Sequence, residues 1–103
     1  MEQTIFQGST PTNEFTMPFP AEAIEKVIIS YEQNDTVVLE KHTEDITISD
    51  YLLAVKLTQE ETLKFEEDKL VAIQIKVKTT DGEVIPSEKI YAHIADVINK
   101  EVI

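Results

Sequence analysis

Apolar and polar residues alternate with period two along most of the chain, and that pattern predicts strands. Phe15, Met17 and Phe19 alternate with Glu14, Thr16 and Pro18. This reads as a half-buried strand that the proline confines to a sheet edge or a strand end. Residues 20–24 form a connector of about one helical turn. Val27, Ile29 and Tyr31 then share one face, with Ile28, Ser30 and Glu32 on the other. Gln33-Asn34-Asp35 is a turn signal, because Asn and Asp tolerate positive φ. Thr36 to Lys41 resumes the extended pattern with Val37 and Leu39 on one face, so the two runs read as a hairpin. Ile46 and Ile48, the Ser49-Asp50 turn, and Leu53, Val55 and Leu57 form a second hairpin.

The clearest strand follows. Val71, Ile73, Ile75 and Val77 point one way, and Ala72, Gln74, Lys76 and Lys78 the other. That pattern predicts one buried and one wet face. Thr80-Asp81-Gly82-Glu83 predicts a third hairpin with a type I′ turn at Asp-Gly. Residues 88–99 fit two periods. Ile90, Ala92 and Ile94 alternate as a strand would, while Ile90, Ile94, Val97 and Ile98 have helical spacing. The Asp-Gly turn favours a strand from about Val84 to Val97, interrupted near Pro86.

The alternation breaks once. Thr58 and Glu61 have the spacing of a capping box, followed by Thr62, Leu63, Lys64 and Phe65. One or two helical turns near residues 59–65 are expected, with the acidic first turn at the positive end of the helix dipole. The sum predicts an all-β, immunoglobulin-like β-sandwich of about seven antiparallel strands with one short helix. One domain spans residues 1–103, and turn-rich residues 1–11 are a candidate mobile N-terminal arm.

Composition changes this picture in one direction. The 103 residues include 20 acidic residues and 9 lysines, with no arginine and no cysteine, for a net charge of −11. Nucleic-acid and phosphate binding rely on cationic groups, so both are disfavoured as partners. Disulfides and thiolate zinc sites are excluded. The 42% hydrophobic content is too high for an acidic disordered chain. The start lacks the basic and apolar regions of a signal peptide, and no apolar run approaches the ~20 residues of a membrane span. The expectation is synthesis and residence in the cytosol with no membrane partner, and later export by cell lysis or inside a particle would leave no mark on the sequence.

Candidate chemistry is sparse. His42 has Glu40 two residues before it and His93 has no neighbouring ligand type, so both read as exposed structural histidines and no metal is expected. Glu60-Glu61 is explained by helix capping, and Glu66-Glu67-Asp68 lacks a calcium-loop pattern. Ser9, Ser30, Ser49 and Ser87 have no identifiable base. No catalytic residue and no cofactor are assigned, and a sandwich of this size is expected to offer little room for a deep cleft of several hundred Å3. Ile28, Val38, Leu52, Leu70 and Tyr91 fall on outward faces and form the candidate partner surface.

Three stretches resemble a known group. They are Gly8-Ser9-Thr10-Pro11-Thr12 with Phe15-Thr16-Met17-Pro18-Phe19, the segment from Val55 to Phe65, and the segment from Ile73 to Gly82. Together they resemble small proteins of this length encoded near tail genes by phages and prophages of Gram-positive bacteria. The central motif, within residues 50–95, also resembles the N-terminal domain of phage baseplate upper proteins, a β-sandwich that anchors receptor-binding parts to the tail. Lys76 and Pro86 depart from that pattern. The resemblance implies a non-enzymatic structural or assembly module whose partners are other tail or baseplate proteins, or copies of itself. Two alternatives stand behind it. One is a carbohydrate or cell-surface binding module using Tyr31, Tyr51 and Tyr91. The other is an acidic decoy of nucleic-acid-binding proteins, supported by net charge alone.

Overall fold

A computed structural model describes residues 3–103. Its strands are β1 (Gln3–Phe6), β2 (Thr12–Thr16), β3 (Ile24–Gln33), β4 (Thr36–His42), β5 (Ile46–Ser49), β6 (Leu52–Lys56), β7 (Leu70–Thr79), β8 (Val84–Pro86) and β9 (Ile90–Ala95). One α-helical turn, α1 (Gln59–Thr62), joins β6 to β7, and short 3-10 turns precede β3 and β5. The strands form two sheets. The larger has the order β1-β9-β7-β3-β4, with β8 also paired to β7; the smaller has the order β2-β6-β5.

This is the expected all-β sandwich, and its strand order is immunoglobulin-like. Constant-type immunoglobulin domains pair strands A-B-E-D in one sheet and C-F-G in the other. Here β2-β6-β5 takes the place of B-E-D and β3-β7-β9 that of C-F-G. The inward residues of both sheets interleave in one core. Val27, Ile29, Tyr31, Val71, Ile73, Ile75, Val77 and Ile94 come from the larger sheet, and Phe15, Ile46, Leu53 and Val55 from the smaller. Each fully buried side chain of this kind contributes ~1.5–3 kcal/mol.

The structure corrects four local expectations. Residues 3–6 are not an arm: β1 pairs in parallel with β9, and Ile5 is buried. That parallel pair also makes the sandwich mixed rather than wholly antiparallel. Second, Val37 does not share a face with Leu39. A β-bulge between Tyr31 and Glu32 sets Leu39 opposite Tyr31 and Val37 opposite Glu32, so Val38 has no partner. An extra residue of this kind rotates its neighbours. Val38 packs against the core, and Val37 is exposed.

Third, the type I′ turn sits at Asn34-Asp35, where both residues have positive φ (53° and 61°). The loop at residues 80–82 is one residue longer. Thr79 C=O accepts from Gly82 N–H at 2.9 Å, Thr79 N–H donates to Glu83 C=O at 2.8 Å, and within the loop the left-handed residue is Gly82 (φ 89°). That is a three-residue hairpin loop with glycine in the left-handed position. Fourth, the expected interruption near Pro86 divides the final segment into two separate strands, the second ending at Ala95. β8 pairs with Lys76–Lys78 and β9 with Leu70–Ile73, both against β7. Between them, Ser87 is stitched to β7: its N–H donates to Ile75 C=O at 2.7 Å and its Oγ accepts from Ile75 N–H at 3.0 Å.

Candidate functional site

One end of the sandwich is closed by α1. Thr58 Oγ1 accepts from Glu61 N–H at 3.2 Å and Glu61 Oε1 accepts from Thr58 N–H at 2.8 Å, the capping box expected from the spacing. Beyond it, Phe65 stacks obliquely on Tyr31, with ring centroids 5.8 Å apart. Tyr31 Oη donates to Asn13 Oδ1 at 2.7 Å across the two sheets. Gln7 Nε2 donates to Phe65 C=O, and Gln33 exchanges two hydrogen bonds with the backbone of Glu66. Thr62 Oγ1 donates to Ser9 C=O at 2.9 Å.

Three groups here titrate abnormally, each with a structural cause. The Lys69 ammonium and the Asn34 amide, both hydrogen-bonded to Glu66, hold its carboxyl below the usual range. Burial, with a smaller contribution from the Glu61 carboxylate, pushes the Tyr31 phenol far above its ordinary value. It is a permanent neutral donor. For Glu61, burial acts to raise the carboxyl, but hydrogen bonds from Lys41 and Thr58 and the lysine charge outweigh it and hold it below the usual range. Lys41 Nζ lies 2.7 Å from Glu61 Oε2. The hydrogen bonds of this cluster hold its turns and strands in place.

The outward faces do not assemble the five expected contact residues into one patch. Leu70 and Tyr91 lie on diagonal positions of β7 and β9 on the outer face of the larger sheet, and both are exposed. Ile28 shares that face but sits between His42 and Lys76. Val38 turns against the core, and Leu52 is on the smaller sheet. The three tyrosines are likewise dispersed: Tyr31 is buried, while Tyr51 and Tyr91 are exposed on separate parts of the fold. His42 and His93 lie on β4 and β9, with β3 and β7 between them. Among the described residues no three His, Asp or Glu side chains converge as metal ligands.

The opposite end carries a feature that the alternation pattern does not predict. The larger sheet extends past β2 and leaves an apolar groove of about 530 Å3 between them. Phe15, Met17 and Phe19 form one wall; Ile75, Val77, Ile85 and Ile90 form the other. Its volume is larger than the size of the sandwich suggested, although the groove is half open rather than deep. The shortfall of one sheet against the other creates it. Glu14 and Glu88 are exposed at the mouth, and the lining contains no lysine or histidine. Ser87 also lines it, but its hydroxyl is engaged, donating to Glu88 C=O at 2.8 Å and accepting from Ile75 N–H.

Beside the groove runs the unpaired edge of β2. Met17 N–H donates to Tyr51 C=O, and Pro11 C=O accepts from Leu57 N–H, so odd-numbered residues face β6. Main-chain groups alternate sides along an antiparallel strand. Thr12, Glu14 and Thr16 therefore direct their N–H and C=O groups toward the open edge. Pro18, with no N–H, ends that run. The chemistry available at this end is main-chain hydrogen bonding beside an apolar trough under an acidic rim. The one sequence signal for it was the Phe-x-Met-Pro-Phe strand, read as an edge. The facing wall, Ile85 to Ile90, depends on where β8 docks and has no local signature.

No protein-family model matches the chain, and no curated protein matches it. Solved structures do. An engineered protein aligns with TM-score 0.65 and 9% identity, over 91% of this chain and 18% of that one. The chain thus spans under a fifth of that protein's length. CopC from Methylosinus trichosporium OB3b aligns with TM-score 0.61 and 11% identity, over 95% of this chain and 87% of CopC. The immunoglobulin-like domain of mouse leukocyte-associated immunoglobulin-like receptor 1, in a strand-swapped dimer, aligns with TM-score 0.44 and 11% identity, over 90% and 86% of the two chains. None of these three is a phage tail protein, and the first two likenesses extend to the fold alone.

Proposed function

We propose that the chain is a non-enzymatic structural or assembly module of a phage or prophage tail or baseplate, acting through contacts with other tail proteins. Two supports are independent of each other. The first is the resemblance of residues 8–19, 55–65 and 73–82 to small tail-region proteins. The second, which carries the reading, is the unpaired β2 edge beside an apolar groove of about 530 Å3. Exposed strand edges are normally blunted by charge, proline or bulges because they recruit other chains. Here the one charge along β2 is Glu14, and Pro18 blocks the strand's end.

The test is location. Tail particles purified on a gradient from the strain that encodes the chain are cross-linked and analysed by mass spectrometry. The expected result is cross-links between this chain and tail or baseplate proteins, in mature particles or in assembly intermediates. Absence from both overturns the reading.

A further inference from the structure

The smaller sheet lacks one strand of the pattern it otherwise follows. In the A-B-E-D order, strand A lies beside B. The residues that would supply it, Gln3–Phe6, are paired instead with β9 on the larger sheet. The position beside β2 is therefore open, and the groove beneath it is lined by Phe15, Met17, Phe19, Val77, Ile85 and Ile90.

We infer that this position is filled by an extended segment of a partner protein, antiparallel to β2, with aliphatic side chains at alternate positions and lysine or arginine beside them. The inference rests on the protein-contact reading above and adds the site and the chemistry of the partner. Main-chain bonding comes from Thr12, Glu14 and Thr16, which offer three N–H and three C=O groups. In strand addition those bonds supply affinity, and pockets for alternate side chains supply selectivity. Here the pocket is the groove, so every second partner residue points into it.

Charge selects among occupants. Glu14 and Glu88 flank the groove, no lysine lines it, and the chain carries −11 overall. That field attracts a basic segment and opposes a second copy of this chain. The chain's own C-terminal segment is placed elsewhere, since Ile103 N–H donates to Gln59 Oε1 beside α1, at the far end of the sandwich. The remaining edges are poorer acceptors. β4 is bulged and carries Glu40, Lys41 and His42, β1 and β5 are four residues each, and β8 is three residues and ends on Pro86.

The probe is a synthetic peptide, Lys-Val-Thr-Val-Thr-Val-Lys with blocked ends, added to the full chain. A matched peptide with glutamate in place of both lysines reads the charge term. Amide exchange and backbone NMR shifts locate the contact. Expected results are protection of the Thr12, Glu14 and Thr16 amides, at least about tenfold weaker binding of the glutamate peptide, and affinity that falls with salt. Two variants should each weaken binding: Glu14→Pro, which removes an edge-facing N–H, and Ile85→Thr, which makes the groove wall polar. The second keeps the inference open to test if the first unfolds. Absence of amide protection at millimolar peptide, equal affinity for both peptides, or a dimer of the chain that protects the same amides without peptide would overturn it. The outcome is separable from the particle assay. Peptide binding with no chain in tail particles would keep the edge and remove the tail assignment; the reverse would keep the tail and remove this edge.

Discussion

The two ends of the sandwich are built from the same kinds of strand and finished in opposite ways. At the α1 end, Tyr31, Asn13, Gln7, Gln33 and Thr62 tie the two sheets and the β1–β2 connection together with side-chain hydrogen bonds. At the β8 end, the walls that face each other across the groove are apolar, and Ile85 remains 38% exposed. A closed end spends its polar groups on its own backbone. An open end leaves main-chain groups and apolar surface unmatched. Under the proposed function, stability belongs to the closed end and contact to the open one, and each of the following measurements is able to break that division.

The largest effect belongs to Phe65. It is 1% exposed, stacks on Tyr31 and anchors the chain as it leaves α1. Phe65→Ala should cost ~3–5 kcal/mol, the usual loss for a large buried aromatic, read by urea unfolding. A cost no greater than that of a groove substitution would mean the two ends are equivalent. Tyr31→Phe comes next. It leaves Asn13 Oδ1 buried with no donor, at a cost of ~1–2 kcal/mol. A double-mutant cycle with Asn13→Ala isolates the bond, and a coupling energy near zero would show that the cross-sheet tie contributes nothing.

A smaller effect depends on pH. The Glu61 carboxyl is held below its ordinary value of 4.5, so its folded form binds its proton less readily than the unfolded chain does. Its stabilisation is fully present above that ordinary value and is lost as pH falls through the lower folded value. Thermal midpoints recorded from pH 6 to pH 3 should therefore drop, and Glu61→Gln should flatten part of that drop while lowering stability at pH 6. An unchanged acid limb in the variant would remove Glu61 and its Lys41 and Thr58 partners from the account.

How much of this was legible beforehand follows the range of the interactions. Alternation placed the buried faces of β3, β6 and β7, because side-chain direction in a strand is a local property. The capping box at Thr58 and Glu61 and the turn at Asn34-Asp35 are local too, as is the second turn, which falls one residue later than expected, at Asp50-Tyr51. What escaped was set by pairing between distant segments. The β9 partner that turns residues 3–6 into a strand lies some ninety residues away along the chain. The bulge that turns Val38 inward and Val37 outward is a mismatch between two strands, not a property of either. The groove is further removed still, since it arises from one sheet being wider than the other. Residues such as Leu52 and Ile28 were correctly read as outward, yet outwardness on two sheets does not make one surface.

The smallest expected effect sharpens the comparison most. Ile85 lies opposite Val77 on β7 and faces the groove, but it is partly open to solvent and belongs to a three-residue strand. Ile85→Thr keeps the β-branched shape that suits a strand and exchanges an ethyl group for a hydroxyl that water can reach. The cost should be about 0.5 kcal/mol, in the range of surface substitutions. Thermal denaturation in the absence of any partner reads it. A residue that the chain needs for its own core would cost several times more, and that result would turn the groove wall into a stabilising element rather than a surface held open for another chain.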